Sequence, residues 1–481
     1  LHHASILGIV PIMPNNALDF LTRDHHHAVA RLVDLLSIPS VSTDPAYKAD
    51  VVRGAEWIAH QLREVGLEVH IHDTGGHPAV VGKTHDKDVA NPAAPRVMFY
   101  GHYDVQPPDP VEKWDTPPFE PTIRDGAVIA RGASDDKGQV MCFIEALRAW
   151  RKGSRDHHFP IPITVLIEGE EECGSVHLQP FIEKNKDLLA CDVVLISDTA
   201  MWDAPSEPSG TLPAITYGLR GLLYFDIQLH GPSRDLHSGV YGGTLPNPCT
   251  ILTRIVGKLF DDKHRVVIPG YYDDVATVTE AEMLEWSALN FDQSEFLGAV
   301  GVQQGYGEDG YSTLERRWTR PACDINGIYG GYMKEGAKTV IPTFAGAKVS
   351  FRLAADQDPH KIAESFTHWL HRQPTHGLRW QITPYGSAAP VAVATDSPFI
   401  AAAKRAIMTS AGREPVLVRE GATIPVIADF KRILGVDSLL IGFGRNDDRI
   451  HSPNEKFELA NFSLGCRTHT ALLAELANME R

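Results

Sequence analysis

Apolar and polar positions along this chain alternate between two periods. Val29, Leu32, Val33 and Leu36 share one face of a 3.6-residue repeat, which Pro39 ends. Ala55, Ile58, Leu62 and Val65 form a second such stripe, closed by Gly66. The alternation of LEVHIH follows at once and predicts a strand. Short apolar runs at 97–100, 163–167 and 193–196 predict further strands, of the kind buried on both faces. Between the first two runs, Val140, Phe143, Ile144 and Leu147 recur at helical spacing. Strands that take turns with helices predict an α/β domain with a mostly parallel sheet.

The middle of the chain changes character. Residues 222–231 alternate as a strand and 250–260 repeat as a helix. Strand patterns return at 346–356 and 378–383, with a helix between them around 361–370. These predict a small α+β sheet with helices on one face. Residues 261–332 are polar, dotted with aromatics, and show no readable period. After Pro390 the α/β signals resume with a helix at 399–409, a strand at 438–443 and a closing helix from Glu458. The economical organisation is one α/β domain, residues 18–212 and 386–481, interrupted by an inserted α+β domain at 213–385.

Composition agrees and narrows the function. A chain of 481 residues exceeds what one core usually supports, and 43% hydrophobic with 22% charged residues is ordinary for a soluble protein. Asp and Glu total 61 against 45 Lys and Arg, a formal charge of −16 that repels phosphate backbones and argues against nucleic-acid partners. Six scattered cysteines (Cys142, Cys173, Cys191, Cys249, Cys323, Cys466) with no CxxC suit reduced thiols in the cytoplasm. The apolar run at 6–13 contains Gly8 and Pro11, lacks a basic flank and is too short to span a bilayer, so no membrane association is expected from it.

Acidic and histidine residues directly follow the predicted strands. GHYDVQP (101–107) sets His102 and Asp104 past the first run, and RGASDDKG (131–138) sets Asp135 and Asp136 before the helix. GEEECGS (169–175) brings Glu170, Glu171 and Glu172 after ITVLIE; Asp198 ends ISD after DVVL; His451 of HSPNE follows SLLIGF. In open parallel sheets, ligands bind beyond the carboxyl ends of the strands. Each motif alone has an ordinary reading: a surface or capping pair, a helix N-cap, a solvated charge run. Their conjunction outweighs it. A pair of divalent cations needs imidazole and carboxylate ligands, plus one further carboxylate free to take a proton from water. His102, Asp135, Glu172, Asp198 and His451 supply such a set, with a neighbouring glutamate left over. Asp104 can hold the His102 ring from behind. The run His25, His26, His27 begins a helix without carboxylate company and reads as surface.

Ten segments in order between residues 101 and 455 resemble metallopeptidase family M20, and within it the cytosolic nonspecific dipeptidase (carnosinase-like) group: GHYDVQP, RGASDDKG, EGEEECGS, ISD, YGLRG, DLHSGVYGG, GAKTVIP, FRL, EGATIPV and HSPNE. The resemblance implies a catalytic α/β domain interrupted by an inserted α+β lid domain. It implies hydrolysis of dipeptides or short peptides with a free C-terminal carboxylate; the alternative is an N-acyl amino acid deacylase or carbamoyl-amide hydrolase on the same fold. Two divalent ions per subunit are implied, Zn²⁺ first, with Mn²⁺ or Co²⁺ as alternatives. His102, Asp135, Glu172, Asp198 and His451 would be their ligands, with Asp135 bridging. Glu171 would be the general base and Asp104 its catalytic neighbour. His237 would steady the oxyanion, Arg352 would grip the substrate carboxylate, and Thr339 and Thr423 would touch the substrate. The Asp135–Asp136 peptide bond is expected to be cis. In dimeric members the counterparts of His237 and Thr339 reach the partner's site, so a homodimer through the lid domain is expected. Two departures stand out. Glu170 and Cys173 occupy positions where relatives often carry other residues. Asp198, where other members have Glu, goes with dipeptidase or aminopeptidase activity.

Overall fold

Every position of the strands Val97–His102, Ile163–Glu168 and Val193–Ile196 is buried. Apolar runs of this kind need cover on both faces, which parallel strands flanked by helices provide. In the computed structural model, which describes residues 12–207 and 209–479, these strands form the middle of a mixed sheet. The run at 6–13 lies almost wholly outside the described residues. Val97–His102 pairs in parallel with Ile163–Glu168 on one side and Val193–Ile196 on the other, and Ser438–Leu440 continues the parallel set. Ala79–Lys83 and Glu68–His72 extend one side antiparallel, and Ala214–Leu219 the other. The expected α/β class with a mainly parallel centre is what the chain forms.

Parallel order sets the carboxyl ends of four strands side by side, and the site grows from there. The helix Lys137–Gly153, buried from Lys137 through Trp150, covers one face. Its Phe143 stacks on Phe99 with ring centroids 4.1 Å apart. Asn15–Leu36 and Leu459–Ala477 pack against the same helix. His469, in the closing helix, lies edge-on to Phe99, Phe143 and Phe443 at 5.3–5.9 Å. Its Nε2 stands 2.8 Å from the hydroxyl of Ser197, the residue before Asp198.

The chain divides into two compact units: one made of the residues up to Tyr217, Val393–Val418 and those from Asp429 onward, the other of Gly218–Ala392 and Arg419–Ala428. The second unit is built on an antiparallel sheet in the order Ala322–Gly330, Phe344–Leu353, Gly221–His230, Arg379–Ala388. Leu223, Phe225, Ile227 and Leu229 alternate inward and meet the helices Pro248–Val256 and Pro359–His371 through Leu252, Ile255, Phe366 and Leu370. The stretch with no readable period forms three short helices (Glu280–Ser287, Gln293–Gly298, Thr313–Trp318) and the edge strand Ala322–Gly330. No helix among the described residues is long and apolar enough to cross a membrane.

Burial lowers the pKa of His469 to about 3, against about 6.5 for a solvated imidazole. A depressed histidine favours the folded state fully above the unfolded pKa, and that contribution erodes as pH falls from 6.5 toward 3. His469→Gln removes the titration but keeps a polar atom near Ser197. Urea unfolding of chelated protein at pH 7 and pH 5 should show the wild type's stability advantage shrinking at the lower pH, by up to ~1.4 kcal/mol per pH unit. An advantage equal at both pH values would refute the assignment.

Candidate metal centre

The strand Val97–His102 ends on the imidazole of His102, fully buried. Asp104, also fully buried, sits behind the ring, its Oδ1 3.3 Å and its carbonyl 3.1 Å from Nδ1. Two acceptors at Nδ1 place the proton of a neutral ring there and leave Nε2 as a lone pair. The same Asp104 carboxylate accepts the backbone N–H of Glu171 at 3.2 Å and of Glu172 at 3.0 Å. One side chain thereby fixes both the ring after one strand and the turn after the next.

Asp135 is the meeting point. Its Oδ1 lies 3.1 Å from His102 Nε2, and its Oδ2 lies 3.0 Å from His451 Nε2. Asp198 Oδ2 stands 4.0 Å from His102 Nε2, and Glu172 Oε2 stands 3.3 Å from His451 Nε2. His102, Asp135 and Asp198 form one group able to hold a cation, and Asp135, Glu172 and His451 a second; they share Asp135. The Asp135–Asp136 peptide bond is cis. Asp136 makes no side-chain cap on the helix that follows; its Oδ2 accepts the backbone N–H of His102 at 3.3 Å instead.

Electrostatics argue that these groups await positive charge. Burial, and then the charge of Asp135, push Asp198 up to about 7. Burial, offset in part by His102, combines with the charges of Asp198, Asp135 and Glu172 to push Glu171 well above the usual carboxylate range. At His102 burial opposes protonation, but contacts with Asp104 and Asp135 outweigh it and raise the pKa well above the ordinary value. His102 Nε2 is buried yet makes no well-formed hydrogen bond. A buried imidazole whose Nε2 faces crowded carboxylates, with no thiolate in the set, is a donor set that fits a pair of divalent cations.

The remaining sequence-derived residues fall in the second unit. His237 and Thr339 are exposed neighbours on a two-stranded ladder: His237 pairs with Val340, and Ser238 N–H donates to the Thr339 carbonyl at 3.1 Å. His237 Nδ1 accepts the Gly239 N–H at 2.9 Å, so a neutral ring carries its proton on Nε2. Arg352 donates from Nη1 to the hydroxyl of Thr423 at 3.0 Å, which in turn donates to the Arg220 carbonyl at 2.6 Å. A cavity of about 970 Å³ beside the helix Pro359–His371 is lined by none of these residues. His25 lies 3.1 Å from the Ser463 hydroxyl, while His26 and His27 are exposed.

Sequence reasoning passed over several residues around the centre. Gln106 donates to Glu172 Oε2 at 2.7 Å, and Glu168 accepts from Tyr100 at 2.6 Å and Ser175 at 2.9 Å. Gln106 stands inside GHYDVQP and Glu168 opens EGEEECGS; neither carries a signal of its partner.

The profile of Peptidase family M20/M25/M40 matches residues 98–475. The chain is 33% identical over 477 residues to the Cys-Gly metallodipeptidase dug1 of Schizosaccharomyces pombe, covering 94% of this chain and 96% of that protein. It is 32% identical over 485 residues to the Beta-Ala-His dipeptidase of Homo sapiens, covering 98% and 94%. Among solved structures it is similar to the dipeptidase Dug1p from Saccharomyces cerevisiae, with TM-score 0.83 and 29% identity over 97% of this chain and 99% of that one. Human carnosine dipeptidase 1 gives TM-score 0.82 and 30% identity over 98% and 100%.

If the two groups bind cations, adding Mn²⁺ or Zn²⁺ to chelated protein should raise its melting temperature. At a hundredfold excess over Kd, a single site contributes about 2.7 kcal/mol. Asp135→Asn, which touches both groups, should abolish most of the shift. A wild-type protein whose melting ignores both metals would sink the assignment.

Proposed function

Because the chain belongs to Peptidase family M20/M25/M40 and is a peptide hydrolase, we propose that it cleaves dipeptides or short peptides bearing a free C-terminal carboxylate. The observation that carries this reading is Asp135, which presents one oxygen to each of two cation-ready groups. The names of the relatives, metallodipeptidases for Cys-Gly and β-Ala-His, support the substrate class. Two divalent ions would be held by His102, Asp135 and Asp198 and by Asp135, Glu172 and His451. Zn²⁺ is the first choice and Mn²⁺ or Co²⁺ the alternatives, since N/O ligands accept all three. Bound there, such a pair supplies Lewis-acid polarisation and lowers the pKa of water.

The chain's own residues do the rest. Asp104 holds the His102 ring and the Glu171–Glu172 backbone in place. Glu171 belongs to neither ligand group, which leaves its carboxylate to take a proton from the attacking water and return it to the leaving amine. His237, with its proton on Nε2, donates to the oxyanion that develops on the scissile carbonyl. Arg352 takes the substrate carboxylate through paired N–H groups, with Thr423 and Thr339 as further polar contacts. Residues 213–385 act as the lid and dimerisation domain between the two catalytic segments, 18–212 and 386–481. The enzyme works in the cytoplasm as a homodimer. Exposed Val240, Tyr241, Tyr332 and Met333, which flank His237 and Thr339 in sequence, supply apolar surface for that contact.

The deciding experiment offers free-amine dipeptides and N-acetyl amino acids to chelated protein before and after re-addition of Zn²⁺ or Mn²⁺. Metal-dependent cleavage of the free-amine set alone is expected; cleavage of the acetylated set alone would move the function to deacylation. In the same assay Glu171→Gln should lower kcat by about 10²–10⁴-fold with metal content unchanged. Sedimentation equilibrium should give a dimer that Val240→Asp or Met333→Asp weakens; a monomeric wild type would refute the assembly.

A further inference from the structure

Asp135 and His451 come from loops more than three hundred residues apart in sequence, yet they must meet within hydrogen-bonding distance. The loop that carries His451 has left-handed backbone at Arg449, His451 and Asn454, with φ of 57°, 60° and 63°. Non-glycine residues keep such conformations only where their surroundings hold them. Glu455, four residues beyond His451 and 1% exposed, does the holding. Its Oε2 accepts from Arg131 Nη1 at 2.7 Å and from the Gly132 N–H at 3.0 Å. Its Oε1 accepts the N–H groups of Ser134 at 3.0 Å and of Asp135 itself at 3.2 Å. Its own carbonyl accepts the Ala130 N–H at 3.0 Å. Buried Asp448, from the same loop, adds a tie by accepting the Ser134 hydroxyl at 2.9 Å.

We propose that Glu455 is a positioning residue that locks the Asp135 turn to the His451 loop, so that one Asp135 oxygen faces each cation-binding group. The proposal rests on the two-cation reading of the site. An ionised carboxylate can accept at four lone-pair positions, and here four N–H donors converge on it. Three of the four are the backbone of the turn that delivers Asp135. No other residue type serves: glutamine keeps one acceptor oxygen and turns its amide N–H groups toward two of the donors, and aspartate is one methylene too short to reach them all from the same backbone. Loss of Glu455 therefore loosens the turn without touching any of the five candidate ligand side chains.

The test is titration of the full chain, stripped by chelation, with Mn²⁺ or Zn²⁺ alone, followed by calorimetry and by metal content after dialysis. Glu455→Gln should weaken binding by about 10–100-fold, the usual cost of removing a group that orients ligands, while two ions per chain are still reached at saturation. Glu145→Gln is the comparison for general destabilisation: Glu145 pairs with Arg31 and Arg148 in the core away from these loops, and its loss should lower the melting temperature without changing metal affinity. A folded Glu455→Gln protein that binds two ions with wild-type affinity would overturn the proposal. If that variant does not fold, Glu455→Asp decides instead, since it keeps the charge but is one methylene too short to hold all four donors: a several-fold loss of affinity supports the lock and wild-type affinity refutes it. Asp135→Asn separates the two levels. Wild-type affinity in that variant would defeat the two-cation reading itself, whereas lost affinity there beside intact affinity in Glu455→Gln would defeat only the lock.

Discussion

Like charge crowded into a buried crevice is the constraint around which this fold is arranged. Asp104, Asp135, Glu171, Glu172 and Asp198 converge where the central strands end; burial and neighbouring charge raise the pKa of Glu171 and Asp198, whereas at Asp135 burial is outweighed by His102 and His451, which hold its carboxyl well below the usual carboxylate range. The protein answers with oriented donors. Asp104 receives two backbone N–H groups and a ring nitrogen, and Asp136 receives the N–H of His102. The helix Lys137–Gly153 starts immediately after Asp135 and Asp136, so the positive end of its dipole faces the crowd. At Asp135 two histidines supply the compensation, one facing each carboxylate oxygen.

The parallel sheet is what makes such convergence possible. Four strands ending on one side bring His102, the Glu170–Glu172 turn, Asp198 and the His451 loop together from segments spread over most of the chain. The register helps: His102 aligns with Glu168, the residue from which the glutamate turn departs. Behind the site, His469 among three phenylalanines stays neutral and places a polar contact on Ser197, next to Asp198. Ligand geometry here is inherited from packing two layers deep.

How much of this was legible follows from how far each signal reaches. The central strands were readable because burial on both faces forces unbroken apolar runs, and the amphipathic helices because one buried stripe repeats. The edge strand Ala322–Gly330 was not: it has one neighbour, its inward alternation is weak, and its register shifts between Ile325 and Gly327. The helices Glu280–Ser287 and Thr313–Trp318 are too short for a period to emerge. Their capping boxes, Thr279 with Glu282 and Ser312 with Glu315, were nonetheless written in the sequence. The strand expected at 438–443 is shorter in the sheet, Ser438–Leu440: Ile441 still donates to the Ile196 carbonyl, but Phe443 N–H donates to the Gln139 side chain on the helix Lys137–Gly153. Glu455 was printed inside a recognised motif, yet its partners are backbone donors that no sequence displays.

Two histidines show why residue type alone could not assign roles. His102 and His237 carry the same ring, and in both the neighbour at Nδ1 decides what Nε2 can do. Behind His102 stand acceptors, the carboxylate and carbonyl of Asp104, so a neutral ring keeps its proton on Nδ1 and its lone pair on Nε2. Behind His237 stands a donor, the N–H of Gly239, so Nδ1 keeps its lone pair and Nε2 carries the proton. In its neutral form one ring presents a lone pair at Nε2 and the other an N–H. The difference lies in residues two positions further along the chain, through a side chain in one case and through the backbone alone in the other. A carboxylate two residues after a histidine is visible in a sequence; a backbone N–H turned toward a ring appears only once the chain has folded.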